Sequence, residues 1–351
     1  MVSQPRISFD TSAVNALADS KDWAILLAGM RSGYFSRIPF PSVAESVATT
    51  DPARRNKLFD ILKMLRLNGE CLEGHHWILA QLVENYEKYG SSRWESLNLR
   101  FEQCETSIAR RDLSETESRE EREFGPATER QFCAIFADTR PKFEEVFASG
   151  TTRPATASEL LPHLNGEGGA FWSMAAGLYE KAVGRRPSEG EVRAFVEDCP
   201  PFRALMHGLV HALFEWAIRE KQVKKDKRIG RIDLFCSIYL PYCDLFITDD
   251  DEQRRCLSEI AASAKLPVDV LSLREFRDRL TPLAHCSIGA RVAIAGLALA
   301  VGMGFHRDAI PVHAEVPIPG EPSQLTATVT YTPTVNVAAV MVANSYLPNT
   351  K

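Results

Sequence analysis

The chain has 351 residues, 45% of them apolar and 25% charged, with a net charge of −5. These are ordinary globular values, enough to bury a substantial core in one large domain or two smaller ones. A negative balance does not advertise nucleic acid binding, so such a partner would have to be met by a local basic patch. The eight cysteines, at 71, 104, 133, 199, 236, 243, 256 and 286, form no C-x-x-C pair, which excludes zinc-ribbon spacing. The opening stretch MVSQPRISFDTSAV has no charged segment followed by an apolar one, so no signal peptide is expected. Scattered thiols without an export signal are expected as reduced, buried cysteines of a cytoplasmic protein.

In chain order, the short apolar runs RISFD, SRIPF, DLFIT and VDVLSL, each flanked by turn or polar residues, predict buried strands. Helical patterns separate them. TSAVNALADSKDWAILLAGM follows the first strand and SVAESVATTDPARRNKLFDILKMLRL the second, while His75-His76 reads as a further helix start. IDLFCSIYLPY precedes DLFIT, and DEQRRCLSEIAASA follows it. Strands alternating with helices predict an α/β fold, a parallel sheet covered on both faces. Residues 91–225 are dominated by helical pattern and read as an insertion between two core segments, 1–90 and 226–284. Within it, ARRDLSETESREEREF (109–124) is a solvated, charged helix face. Residues 285–351 form a tail to which no function is assigned. It contains VAIAGLALAVGMGF, an uncharged run of 14 residues at 292–305. A membrane span needs roughly 20, so a buried helix is expected there, and no membrane association. QLTATVTYTPTV, further on, alternates like a strand.

Acids fall at the ends of these elements. In open α/β sheets ligands collect beyond the carboxyl ends of the strands. Asp10 ends RISFD, and Asp249, Asp250 and Asp251 follow DLFIT after Thr248. Carboxylates gathered without histidine or cysteine suit a hard divalent cation such as Mg²⁺. Glu45, one turn into the helix after the second strand, also fits a capping box with Ser42, which would leave it only a backbone role. Asp233 heads the helix before DLFIT, where it could simply offset the helix dipole.

SFDTSAVNAL, IPFPSVAES, RIDLFCSIYLPYCDLFITDDDEQ and the closing LPVDVLSLREF together resemble the PIN-domain family of metal-dependent nucleases. The resemblance covers roughly residues 5–65 and 226–277, in motifs that are each short. It implies a three-layer α/β/α core and a catalytic set of Asp10, Glu45, Asp233 and Asp250. Asp10, Asp233 and Asp250, with Asp249 in the variable place, would ligate Mg²⁺ or Mn²⁺. Thr11, Ser12, Asn15 and Thr248 match the polar residues that support the set. Asp251 is expected to begin the next helix. The implied activity is endonucleolytic hydrolysis of RNA or DNA, RNA before DNA, with a 5′-phosphate and a 3′-hydroxyl as products. The long separation of Glu45 from Asp233 departs from the family's minimal pattern, and the helical insertion fills it.

REKQVKKDKRIGR, 219–231, has seven basic residues against two acidic, a balance of +5. Lys221, Lys224, Lys225, Lys227, Arg228 and Arg231 are therefore the expected phosphate contacts, against the plainer reading of a solvated helix end. The i, i+4 pair His207 and His211 has zinc-chelating spacing but no third ligand, so packed histidines are expected. Trp94, Trp172 and Trp216 could stack on bases but are expected in the core. Ser12 stands where a haloacid-dehalogenase pattern needs a second aspartate, and no G-x-G-x-x-G follows the first strand. The rival reading is a catalytically silent PIN-like scaffold that binds RNA or a protein partner through the insertion. A homodimer is compatible with either.

Overall fold

The computed structural model describes residues 4–31, 33–110, 136–166, 169–219 and 230–284, with a few single positions between 119 and 134. Five strands, β1 (Arg6–Phe9), β2 (Phe35–Ile38), β3 (Gly69–Cys71), β4 (Leu245–Ile247) and β5 (Asp269–Leu271), form one all-parallel sheet in the order β3-β2-β1-β4-β5. The chain winds outward from β1 through β2 to β3, then returns to build β4 and β5 on β1's other side. The reversal falls between β1 and β4, the switch point at which sheets of this kind open a crevice.

Helices cover both faces. The first segment carries α1 (Thr11–Asp19), α2 (Trp23–Met30), α3 (Phe40–Ala48), α4 (Pro52–Arg66) and α5 (His75–Tyr89). The middle carries α6 (Glu102–Arg110), α7 (Arg140–Ala148), α8 (Ala157–Leu164), α9 (Ala170–Val183), α10 (Glu189–Asp198) and α11 (Pro200–Leu213), which runs into a π-helical turn, Phe214–Ile218. Then come α12 (Arg231–Phe235), the 3₁₀ segment Cys236–Tyr242, α13 (Asp251–Ser263) and α14 (Leu273–Ala284).

Alternation along the strands divides the core in two. Ile7 and Phe9 of β1 and Leu245 and Ile247 of β4 face a cluster built with α1, α4, α6 and α14. Phe246, pointing the other way, joins a larger cluster with α5, α8 to α11, the 3₁₀ segment and α13. Of the middle helices, α8 to α11 thus form the layer on one face of the sheet, while α6 packs on the other.

Several expected elements differ in detail. The helical pattern over 11–30 is two helices, because Ser20 closes α1 in extended conformation with its N–H on Ala16 and Leu17 carbonyls. The pattern before DLFIT is only five residues of α-helix, continued as 3₁₀ through Pro241, which has no N–H to offer. β3 was not expected. It is three residues long, and Gly69 meets its neighbour so closely that a Cβ there would lie 2.1 Å from the Ser36 carbonyl oxygen. Among the described residues no helix is long and apolar enough to cross a membrane. The runs at 292–305 and 324–335, most of the charged stretch 109–124 and the basic residues 220–229 lie outside the described residues.

Because Phe246 joins the sheet to the middle helices, Phe246→Ala should cost about 3–5 kcal/mol. Urea unfolding followed by tryptophan fluorescence, with Trp94, Trp172 and Trp216 in the middle segment, and by far-UV circular dichroism should still give coincident transitions. Separate transitions would mean that the middle segment folds alone.

Candidate active site

The β1–β4 register pairs Phe9 with Ile247, so the residues that follow, Asp10 and Thr248, emerge side by side. Asp10 N donates to Ile247 O at 3.0 Å. Asp10 then caps α1, its Oδ1 accepting from Ala13 N at 2.8 Å. Ser12 Oγ stands 2.9 Å from both carboxylate oxygens, and Thr248 Oγ1 donates to Oδ2 at 2.9 Å. Ser12 also accepts the N–H groups of Asp249 and Asp250, at 2.7 and 3.1 Å. A hydroxyl has one proton and two lone pairs, so Ser12 can donate to Asp10 while accepting from the loop after β4. The serine knots the two strand ends together.

Asp250 caps α13 through Oδ1, which accepts from Gln253 N at 2.8 Å. As expected, Asp251 is the first residue of that helix; it is exposed and paired with Arg254 at 2.8 Å. Asp249 is exposed as well. From the other side, Ser42 Oγ donates to Phe9 O at 3.0 Å, which pins the start of α3 to the end of β1. That bond removes the expected capping box. α3 begins at Phe40, three residues earlier than the box requires, so Ser42 already lies inside the helix. Glu45 is instead half-buried, bonded by the Thr11 side chain. Asp233 lies at the start of α12, where its Oδ2 accepts from Gly230 N at 3.0 Å.

Burial dominates the electrostatics. It pushes the carboxyls of Asp10 and Glu45 up to about 7 and that of Asp233 to about 6. Hydrogen bonds from Ala13, Ser12 and Thr248 to Asp10, and from Gly230 to Asp233, pull in the opposite direction without compensating. The acids also raise one another: Asp233 acts on Asp10 and Glu45, and Asp250 acts on Asp233. Asp10, Glu45, Asp233 and Asp250 therefore share one field, although they come from three helix starts and the body of α3.

A fifth acid belongs with them. Glu129 raises both Glu45 and Asp233. Its Oε1 and Asp233 Oδ2 converge on Gly230, 3.1 and 3.2 Å from where a Cβ there would lie. Nothing in its local sequence, TERQF, singles it out from the other acids of a stretch dense in glutamate and arginine.

Thr248 is shared between two acceptors, Asp10 Oδ2 at 2.9 Å and Gln253 Oε1 at 2.7 Å. It can satisfy only one while Asp10 is ionised. With a proton on Asp10 Oδ2, the acid donates to Thr248 and Thr248 to Gln253, so the chain is complete. This agrees with the upward shift of Asp10.

The remaining candidates are placed elsewhere. Asn15 faces away from the acids: its Nδ2 donates to Thr11 O and its Oδ1 accepts from Arg54. His207 and His211 are buried, with burial lowering them to about 4 and about 3, and His207 Nδ1 is bonded to Ser263 Oγ at 2.7 Å. They are packed histidines. Trp216 is buried and Trp94 and Trp172 pack against the same cluster, so all three belong to the core. Lys221, Lys224, Lys225, Lys227, Arg228 and the side chain of Arg231 lie outside the described residues. Arg219, which opens that basic stretch, bonds Glu215 at 2.7 Å and Glu252 at 3.2 Å, tying the end of the π turn to α13.

An all-oxygen donor set crowded with buried carboxylates is chemistry suited to a hard divalent cation. Among the described residues, however, no group of three or more histidine, cysteine, aspartate or glutamate side chains is close enough to hold a metal ion. Asp10, Asp233 and Asp250 each spend an oxygen on a backbone N–H at a helix start. No protein-family model, no curated protein and no solved structure matches the chain.

The raised carboxyls fix the sign of a pH effect. A carboxyl that holds its proton more tightly folded than unfolded contributes stability below its unfolded value and loses it as pH climbs through the folded one. For Asp10 that window runs from 3.8 to about 7. Urea midpoints with a chelator present should show Asp10→Asn gaining on the wild type as pH rises from 3.8 to about 7 and levelling off above that. The gain should be on the order of a few kcal/mol at most. A gap independent of pH would mean that Asp10 titrates normally.

Proposed function

We propose that this chain is a metal-dependent phosphodiesterase that cleaves RNA internally, with Asp10, Glu45, Asp233 and Asp250 as its working carboxylates. The observation that carries this reading is the meeting of three carboxyls, the buried Asp10 and the half-buried Glu45 and Asp233, each raised to about 6 or 7, at the switch point of a parallel sheet. Burying several carboxylates in one place is costly unless a cation compensates them or one keeps its proton for use. Both conditions suit phosphodiester hydrolysis. The resemblance to PIN-domain nucleases points the same way.

The resemblance assigns Mg²⁺ or Mn²⁺ to Asp10, Asp233 and Asp250, with Asp249 in the variable place; their side chains would have to close in to hold the ion, which would supply a bound water of lowered pKa and a counter-charge for phosphate. The chain's own residues do the rest. Ser12 and Thr248 hold the Asp10 carboxylate in one orientation, and the α13 cap fixes Asp250 beside it. Glu45, with a carboxyl near 7, can accept a proton from an attacking water near neutral pH and return it. The lysines and arginines of 221–231 would track the phosphate backbone, anchored at Arg219 to the helix that Asp250 caps.

The deciding assay is cleavage of end-labelled single-stranded RNA by the purified chain with Mg²⁺ or Mn²⁺, with and without chelator. Asp10→Asn, Asp250→Asn and Glu45→Gln should each lower the rate roughly 100-fold or more while circular dichroism is unchanged. Asp249→Asn should cost much less. Wild-type protein that binds RNA without cleaving it in any metal would favour the scaffold reading.

Binding is tested apart from cleavage in an Asp10→Asn background. Affinity should fall with salt at a slope of roughly −0.7 per phosphate contact for a single strand. Changing Lys224, Lys225 and Lys227 to alanine should weaken binding and flatten that slope. An unchanged slope would place the RNA track elsewhere.

A further inference from the structure

A surface helix normally turns polar residues to water. α2, WAILLAGM, has no polar side chain, yet only Leu27 and Met30 are buried. Ile25 is 57% exposed, and nothing lies within 4 Å of where a Cβ on Gly29 would sit, so a neighbour can approach this side closely. Leu67, 45% exposed, borders the other end of the helix, since the adjacent Asn68 donates to Arg31 O at 2.9 Å. Ile25 and Gly29, one turn apart, therefore mark an exposed apolar side of α2, with the exposed Leu67 next to the residue bonded at the helix end. Scattered exposed apolar residues are ordinary, but a helix with no polar side is not.

The chain itself holds a matching segment. α14 lies against α2: Arg277 bonds the side chains of Ser20 and Asp22 just before α2, and Phe276 meets Tyr34 edge-on at 5.7 Å just after it. The last described residue, Ala284, ends α14, so residues 285–351 continue from the helix that packs against α2. The seven residues 285–291 can span up to about 25 Å, twice the about 12 Å length of α2. Beyond them comes the uncharged 292–305 run, VAIAGLALAVGMGF, too short for a bilayer and itself in need of apolar cover.

We infer that the exposed face of α2, from Ile25 to Leu67, is the docking surface for the 292–305 segment of the same chain. This does not rest on the carboxylate site and stands whether or not the chain cleaves RNA. The match is one of uncharged surfaces: neither partner has a side chain to desolvate at a penalty. Tethering through α14 makes the contact intramolecular, which favours it over a second copy at ordinary concentrations.

Full-length protein carrying p-benzoylphenylalanine at position 25 tests this directly. After irradiation and digestion, position 25 should be linked to a peptide containing 292–305 in a chain of unchanged mass. Links only to a second chain of doubled mass, to another segment, or to none would overturn the assignment. A second measurement guards against a perturbed fold. Ile25→Asp and Leu297→Asp should each lower the melting temperature, and the double variant should lower it no further than the larger single effect. Fully additive shifts would also overturn it.

Discussion

The pairing of β1 with β4 is the constraint on which the site depends. Three parallel register pairs end at Phe9 and Ile247, and the next residue on each strand, Asp10 and Thr248, joins the other through a hydroxyl–carboxylate bond. Ser12 completes the joint by accepting the N–H groups of Asp249 and Asp250. A slip of one residue would separate these groups and turn Phe246 into the wrong cluster, because the side-chain period of a strand is two. The same pairing thus fixes the carboxylates and decides which core each side chain enters.

The middle segment matters to the site in two ways. It supplies the apolar layer behind Phe246, α13 and the 3₁₀ segment, which keeps water from one side of the sheet. It also brings in acid: Glu129 arrives from within it, and Asp233 follows directly after it. Burial of the acids is therefore a product of the insertion as much as of the sheet. The ion pairs of Glu215, a fully buried carboxylate on the π turn, with Arg219 and Arg255 lock the end of that segment to α13. π turns inside α-helices often coincide with functional positions, and here the turn leads into the basic stretch.

Holding three carboxyls whose pKa values are raised toward neutral opposes folding at neutral pH, as desolvation exceeds what the hydrogen bonds return. Cores do not keep such groups for stability, since apolar residues of similar size would serve better. Raised carboxyls gathered in a crevice are a common mark of sites that bind cations or move protons. The contrast with His207 and His211 is instructive. Their shifts are also large, but they lie buried inside the helical layer, with one hydrogen-bonded to Ser263.

The sequence by itself determined four of the five strands, the helices that follow them and the acids at their ends, because period, capping and turn residues are local signals. It also placed Asp251 at the start of the next helix, whereas the capping role of Asp250 came only with the structure. Tertiary structure decided the rest. β3 is too short to show a period and exists because Gly69 lets it approach Ser36. Ser42 looked like half of a capping box, but its hydroxyl is bonded to Phe9, 33 residues away, which frees Glu45 for the site. Asn15 has the right spacing yet is drawn to Arg54, 39 residues on. Glu129 has no local mark at all. These choices depend on groups distant in the chain that only the folded sheet and its helical layer bring into contact.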